Sequence, residues 1–181
     1  MMRLPDWRCE QIKRIVVNTF VDFDIKCIPI SGFEMATKLD AAIIPYSSLP
    51  IEKRILIICI NEDGFSVYRN GKWYIYYNDS KSYGRINNTL MHECAHIILD
   101  HKEHSQLAEA EAKFFAKYAL APPPLIQKMG KFDASFISEQ FDISFEAACY
   151  ALDYYDKWLR YGDRSYTDYE IRLLQQFNYA M

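Results

Sequence analysis

Residues 88–100, Asn-Thr-Leu-Met-His-Glu-Cys-Ala-His-Ile-Ile-Leu-Asp, constrain this chain more than any other stretch. At 100° per residue, Thr89, His92, Glu93, His96 and Asp100 fall within one arc of about 100°. Leu90, Met91, Cys94, Ala95, Ile97, Ile98 and Leu99 fill the remaining circumference. That apolar arc is wider than the stripe of a surface helix, so the polar strip should lie in a groove between packed neighbours rather than on an open face. The plainer alternative is an amphipathic helix whose polar stripe is simply solvated.

The surrounding sequence supplies those neighbours. Residues 7–24 carry Ile12, Ile15, Val16, Thr19 and Phe20 at helical spacing. Ser31 to Glu34 has the form of a capping box and predicts a short helix to about Leu39. The runs Ala-Ala-Ile-Ile-Pro-Tyr (41–46) and Lys-Arg-Ile-Leu-Ile-Ile-Cys-Ile (53–60) are short, β-branched and apolar, and both read as strands. Next, Asn70-Gly71 sits between two aromatic and β-branched arms, and the pair tolerates the positive φ angles of a two-residue hairpin turn. The histidine helix should run from about Ser82 or Asn88 to Asp100, and another from Ser105 to Ala121, stopped by Pro122, Pro123 and Pro124. Helices follow near 134–141, 145–161 and 168–178. The expected fold class is α+β: a small antiparallel or mixed sheet, the His-Glu-x-x-His helix and a helical C-terminal part. The triple proline divides the expected organisation into a core, residues 1–124, and a helical extension, 125–181, packed on it.

A length of 181 residues suffices for one domain with a real core, and half the residues are apolar, which excludes a disordered chain. Five cysteines, Cys9, Cys27, Cys59, Cys94 and Cys149, stand far apart and mostly in apolar stretches, so they read as buried thiols of a reducing compartment. The N-terminal residues never reach a continuous apolar run, and no later stretch approaches the ~20 apolar residues of a membrane span. A cytoplasmic protein is expected, with no membrane partner. The net charge is −3 and Lys and Arg are scattered, which argues against direct nucleic-acid binding. Residues 134–158 resemble a helix-turn-helix, but the segment is acidic and its Phe, Tyr and Leu positions read more easily as core.

The order His-Glu-x-x-His gives the helix a chemistry. Imidazoles at i and i+4 stand about 6 Å apart on one face, a separation from which both reach a single zinc ion. Glu93, beside the first histidine, points to the flank of such an ion. Zinc lowers the pKa of a bound water toward about 7, and a carboxylate there takes the proton. A catalytic zinc usually has three protein ligands and one open position. A metzincin would place Gly and His where this chain has Leu99 and Lys102, and a peptide deformylase would carry an upstream Gly-Cys motif that is absent here. A glutamate from the next helix remains. Glu109 and Glu111 flank an inner face of Ala108, Ala112, Phe115 and Ala119, about 70° to one side and 90° to the other, so the wheel does not separate them. Asp100, His101 and His104 read as surface residues or as supports for the ligands.

Three segments in order carry a resemblance: residues 27–50 as a helix-strand opening, residues 63–101 as a hairpin leading into the His-Glu-x-x-His helix with a further histidine, and Glu-Ala-Glu-Ala-Lys-Phe-Phe-Ala (109–116) on a helix ending in proline. Together, over roughly residues 25–125, they resemble the ImmA/IrrE-type metallopeptidases, which phages and other mobile elements often encode. The resemblance implies Zn2+ on His92 and His96, Glu93 as general base, and a third ligand from the following helix. Related gluzincins use the first glutamate of a Glu-x-x-x-Asp/Asn pattern, which corresponds to Glu109, with Glu111 still open; four residues on stands Lys113. It further implies an endopeptidase whose protein substrate is a helix-turn-helix transcriptional repressor. A non-proteolytic protein that sequesters the repressor in the same groove is the alternative. A substrate peptide is expected to lie along the 72–78 arm as an exposed strand edge.

Overall fold

The computed structural model of the chain describes residues 2–162 and 165–179. Its elements are α1 (Asp6–Asp22), α2 (Gly32–Lys38), β1 (Ala42–Pro45), a 3-10 turn (Tyr46–Ser48), α3 (Ile51–Ile60), β2 (Gly64–Arg69), β3 (Lys72–Tyr77), α4 (Tyr83–Ile98), α5 (Gln106–Leu120), α6 (Pro123–Met129), α7 (Ala134–Phe141), α8 (Phe145–Tyr161) and α9 (Asp168–Gln176). The class is α+β with one small mixed sheet, as expected. Local chemistry accounts for most boundaries. The Ser31, Ser105, Asp133 and Ser144 side chains each accept a backbone N–H at the start of a helix, and Thr167 with Glu170 closes a capping box on α9. Asn70 and Gly71 take φ of +53° and +79° in the β2–β3 turn.

The sheet order is β1-β3-β2, with β1 parallel and β2 antiparallel to β3. Here two expectations are overturned. The 72–78 arm contains β3, the central strand, paired with β2 along its whole length and with β1 along Tyr74–Tyr77, so it is not an edge strand; the edge beside the histidine helix is β2. The run 53–60, read as a strand, lies in α3 instead. Pro45 of β1 and Gly64 of β2 both pair with Tyr77, so the chain from 46 to 63 must cross one end of the sheet from edge to edge. Two strand spacings are about 10 Å and ten helical residues about 15 Å, so one short helix makes the crossing, whereas a strand there would have no partner. The Tyr46 hydroxyl, on a buried ring, donates to the Asn61 carbonyl (3.1 Å) and pins both ends of this connection.

Behind the sheet, α4 packs on β2, β3, α2 and α5, and α5 in turn on α1 and α8. Leu90, Met91, Cys94 and Ala95 of α4 join Phe115 of α5, Val16 and Phe20 of α1, Leu125 of α6, Phe141 of α7 and Leu173 of α9 in one apolar cluster. Close approach is built in at Gly64, where a Cβ would meet Thr89 Cγ2 at 2.6 Å and the Tyr76 carbonyl at 2.7 Å, so β2 lies directly on α4. The prolines that end α5 also start α6, with Pro123 and Pro124 in its first turn and Gly130 (φ +69°) closing it, a helix the sequence reading did not contain.

One further reading needs correction. Of the five cysteines only Cys94 is buried; Cys9 is intermediate, and Cys27, Cys59 and Cys149 are exposed, because they lie in the α1–α2 connection, on α3 and on the outer face of α8. The Phe, Tyr and Leu positions of 134–158 do mostly face the core: Phe141 and Tyr155 are buried and Phe136, Leu152 and Tyr154 pack against it, while Phe145 and Tyr150 face outward. No helix among the described residues is long and apolar enough to cross a membrane.

Candidate metal centre

The polar strip of α4 lines a cavity of about 460 Å³ bounded by β2, α4, the 101–104 loop and α5. His92 and His96 sit one helical turn apart with their Nε2 atoms 3.1 Å from each other. Glu109, in the first turn of α5, brings Oε2 to 3.5 Å from His92 Nε2 and Oε1 to 3.4 Å from His96 Nε2. One ligand atom from each of the three residues lies within 4.8 Å of the others, the only such group of three or more among the described residues.

Glu111 points elsewhere. Its carboxylate accepts from Arg8 Nε on Oε1 (2.7 Å) and from Arg8 Nη2 on Oε2 (2.8 Å), and lies 3.0 Å from His101 Nε2. The Arg8 hydrogen bonds hold it below the ordinary carboxylate range, against its burial. Arg8 is a residue that sequence reasoning missed, because nothing local marks a contact between α1 and α5. His101, the other neighbour of Glu111, stands against His96, with Nδ1 atoms 2.9 Å apart. His104 is exposed, its ring 6.4 Å from that of His96, and Asp100 is exposed beside Lys102.

Glu93 is 7 % exposed. Burial pushes its carboxyl up to about 7, although hydrogen bonding from Ser66 works the other way. Ser66 Oγ donates to Glu93 Oε2 at 2.7 Å. Ser66 too escaped the sequence reading. The only signal for it is its place on a hairpin arm, where alternation gives Ser66 the face opposite Phe65 and Val67.

Burial also lowers the pKa of both imidazoles, His96 to about 4, where the adjacent His92 adds to the effect. Near neutral pH both rings are therefore uncharged and keep a lone pair to give. Two neutral imidazoles and one carboxylate, converging in a cavity, fit a divalent cation; the same set is a common catalytic zinc environment.

A His-Glu-x-x-His helix laid on a small mixed sheet and faced by a carboxylate from the next helix defines a chain of the metallopeptidase type. Residues 54–153 match the family model described as the IrrE N-terminal-like domain, peptidase family M78, and the chain belongs to that family. The family brings with it a metal and a protein substrate. Searches of curated proteins and of solved structures return no significant match.

Proposed function

We propose that this chain is a zinc-dependent endopeptidase in which His92, His96 and Glu109 hold the ion and Glu93 is the general base. The observation that carries the reading is the convergence of the two imidazoles and Glu109 within 4.8 Å in one cleft, with Glu93 on its flank. Zinc, when bound, polarises the scissile carbonyl and acidifies water at the site. The remaining work falls to the protein. Glu93 accepts a proton on its carboxylate; Ser66 occupies Oε2 and leaves Oε1 for that task. The buried setting brings the Glu93 pKa close to neutral, where a base combines proton affinity with availability.

Substrate orientation falls to β2. A two-residue turn makes Arg69 and Lys72 a hydrogen-bonded pair, so Phe65, Val67 and Arg69 spend their backbone groups on β3. Ser66 and Tyr68 then offer theirs outward, where an extended peptide adds as a further strand across the cleft. The substrate we propose is a helix-turn-helix transcriptional repressor of a mobile element or stress regulon, met in the cytoplasm, by resemblance to the ImmA/IrrE-type enzymes. Residues 1–124 would form the peptidase core and 125–181 a helical extension of it.

The test uses the purified chain, its zinc content by mass spectrometry and the Glu93→Gln variant. Stoichiometric zinc is expected, and the variant should retain it while losing about 10²–10⁴-fold in cleavage rate. A parent chain without zinc, or a variant that still cleaves, sinks the mechanism. A repressor complex that forms without cleavage and ignores chelator would instead establish the sequestering alternative.

A further inference from the structure

Resting on the reading of His96 as a ligand, we infer that His101, Glu111 and Arg8 form a relay that fixes the tautomer and ring orientation of His96. The N-terminal helix α1, which lies outside the matched residues 54–153, is thereby part of the metal centre.

The relay begins where α4 ends. Asp100 adopts a left-handed conformation (φ +55°), and the His101 N–H returns to the His96 carbonyl (3.0 Å) while the Asp100 N–H bonds Ile97 (3.1 Å). This closure reverses the chain and folds the His101 ring back onto that of His96, with centroids 5.0 Å apart at 70°. From there the proton positions follow without choice. His96 turns Nε2 toward His92 and Glu109, so as a ligand it must keep that nitrogen bare and carry its proton on Nδ1. The His96 Nδ1–H then donates to His101 Nδ1, 2.9 Å away, which must accept. His101 is therefore neutral with its proton on Nε2, and that N–H donates to Glu111 Oε2 at 3.0 Å. Glu111 remains an acceptor at both oxygens because Arg8 grips it with two donors.

Each link excludes the wrong tautomer of the one before it. A ligating histidine commonly gives its second N–H straight to a carboxylate or carbonyl. Here a neutral imidazole stands between, so the carboxylate and its arginine set the polarity of two rings. Stability alone is a poor reason for the pair, since desolvating a guanidinium and a carboxylate costs about what their attraction returns. The side chains of His101 and Glu111 are only 11 % and 7 % exposed, which keeps water from substituting for either partner.

Glu111→Gln is isosteric and inverts the relay. If the amide oxygen faces His101, its NH2 opposes Arg8; if it flips, the NH2 opposes His101 Nε2–H and drives that proton to Nδ1, against His96. On the full chain, zinc affinity is measured by competition with a chromophoric chelator, and histidine tautomers by two-bond 1H–15N correlation in the zinc-loaded state. Glu111→Gln and His101→Phe are expected to weaken zinc about ten- to hundredfold and to shift the His96 ring signals. Arg8→Ala should act in the same direction more weakly, with Arg8→Lys restoring part of the loss. Ile12→Val, which loosens α1 without touching the relay, should leave both readouts at parent values. The relay is overturned if Glu111→Gln and Arg8→Ala hold zinc as tightly as the parent with unchanged His96 signals, or lose it only as Ile12→Val does. A parent chain that binds no zinc overturns the proposed function and the relay together, and that outcome is distinct from the first.

Discussion

Helices α3 and α4 both contain long apolar runs, and they end in opposite environments. Leu90, Met91, Cys94 and Ala95 of α4 are fully buried, whereas not one of the ten residues of α3 is, and Ile60 is 86 % exposed. The α3 run is the more uniformly hydrophobic, so composition does not decide burial. Position does. α4 follows the hairpin and has β2, β3, α2 and α5 around it, while α3 spans one end of the sheet and shares at most slight contact with any element. A helix apolar on every side is ordinarily enclosed. Among the described residues, nothing encloses α3.

The largest difference between the two should appear on truncation. Leu90→Ala removes a side chain with no exposed surface from the centre of the core, where the surroundings cannot collapse fully into the space. A loss of about 2–5 kcal/mol is expected from the shift in urea midpoint at constant slope. A loss under about 1 kcal/mol would mean that α4 is not held as tightly as its packing indicates.

The same contrast explains what could be read from the residues alone. His92, Glu93 and His96 share one helix, so their convergence is a matter of spacing and was legible. The choice between Glu109 and Glu111 was not, because both lie at similar angles from the inner face of α5. What separates them is Arg8, which engages Glu111 from another helix about a hundred residues earlier in the chain. Ser66 and the central place of β3 likewise depend on which strand pairs with which. The strand reading of 53–60 failed for a different reason. β-branched residues favour a pleated, half-buried surface, but no sheet edge lies in the path from β1 to β2. Turn, cap and hairpin signals were reliable because their chemistry is complete within a few residues.

A smaller effect separates the helices by pH. In the metal-free chain His96 titrates at about 4, where an unfolded histidine titrates near 6.5, mainly because burial disfavours the charged ring. Between those values the unfolded chain binds the proton and the folded one does not. The His96 contribution to stability should thus be at its full value above about pH 6.5 and decline as pH falls toward about 4, while the Glu93 carboxyl, raised by burial to about 7, contributes a slope of opposite sign over much of the same range. His96→Gln should remove the His96 contribution and so change the slope of urea midpoints measured across the range, leaving that of Glu93. No comparable slope is expected from α3, which buries no titratable group. An unchanged slope in the variant would place the acid sensitivity elsewhere.

The smallest effect is expected at the surface of α3. Leu56 is 64 % and Ile55 56 % exposed, so replacing either by Gln gives up little burial and exchanges Ile for a better helix former. Each change should move stability by no more than about 0.5 kcal/mol and raise solubility, since it reduces an exposed apolar patch. The comparison is sharpest here, because a chemically similar loss at Leu90 costs several times more. Should Leu56→Gln cost as much as Leu90→Ala, the helix must be covered in solution. A cost that grows with protein concentration would identify the cover as a second copy of the chain, because only an intermolecular contact depends on mass action.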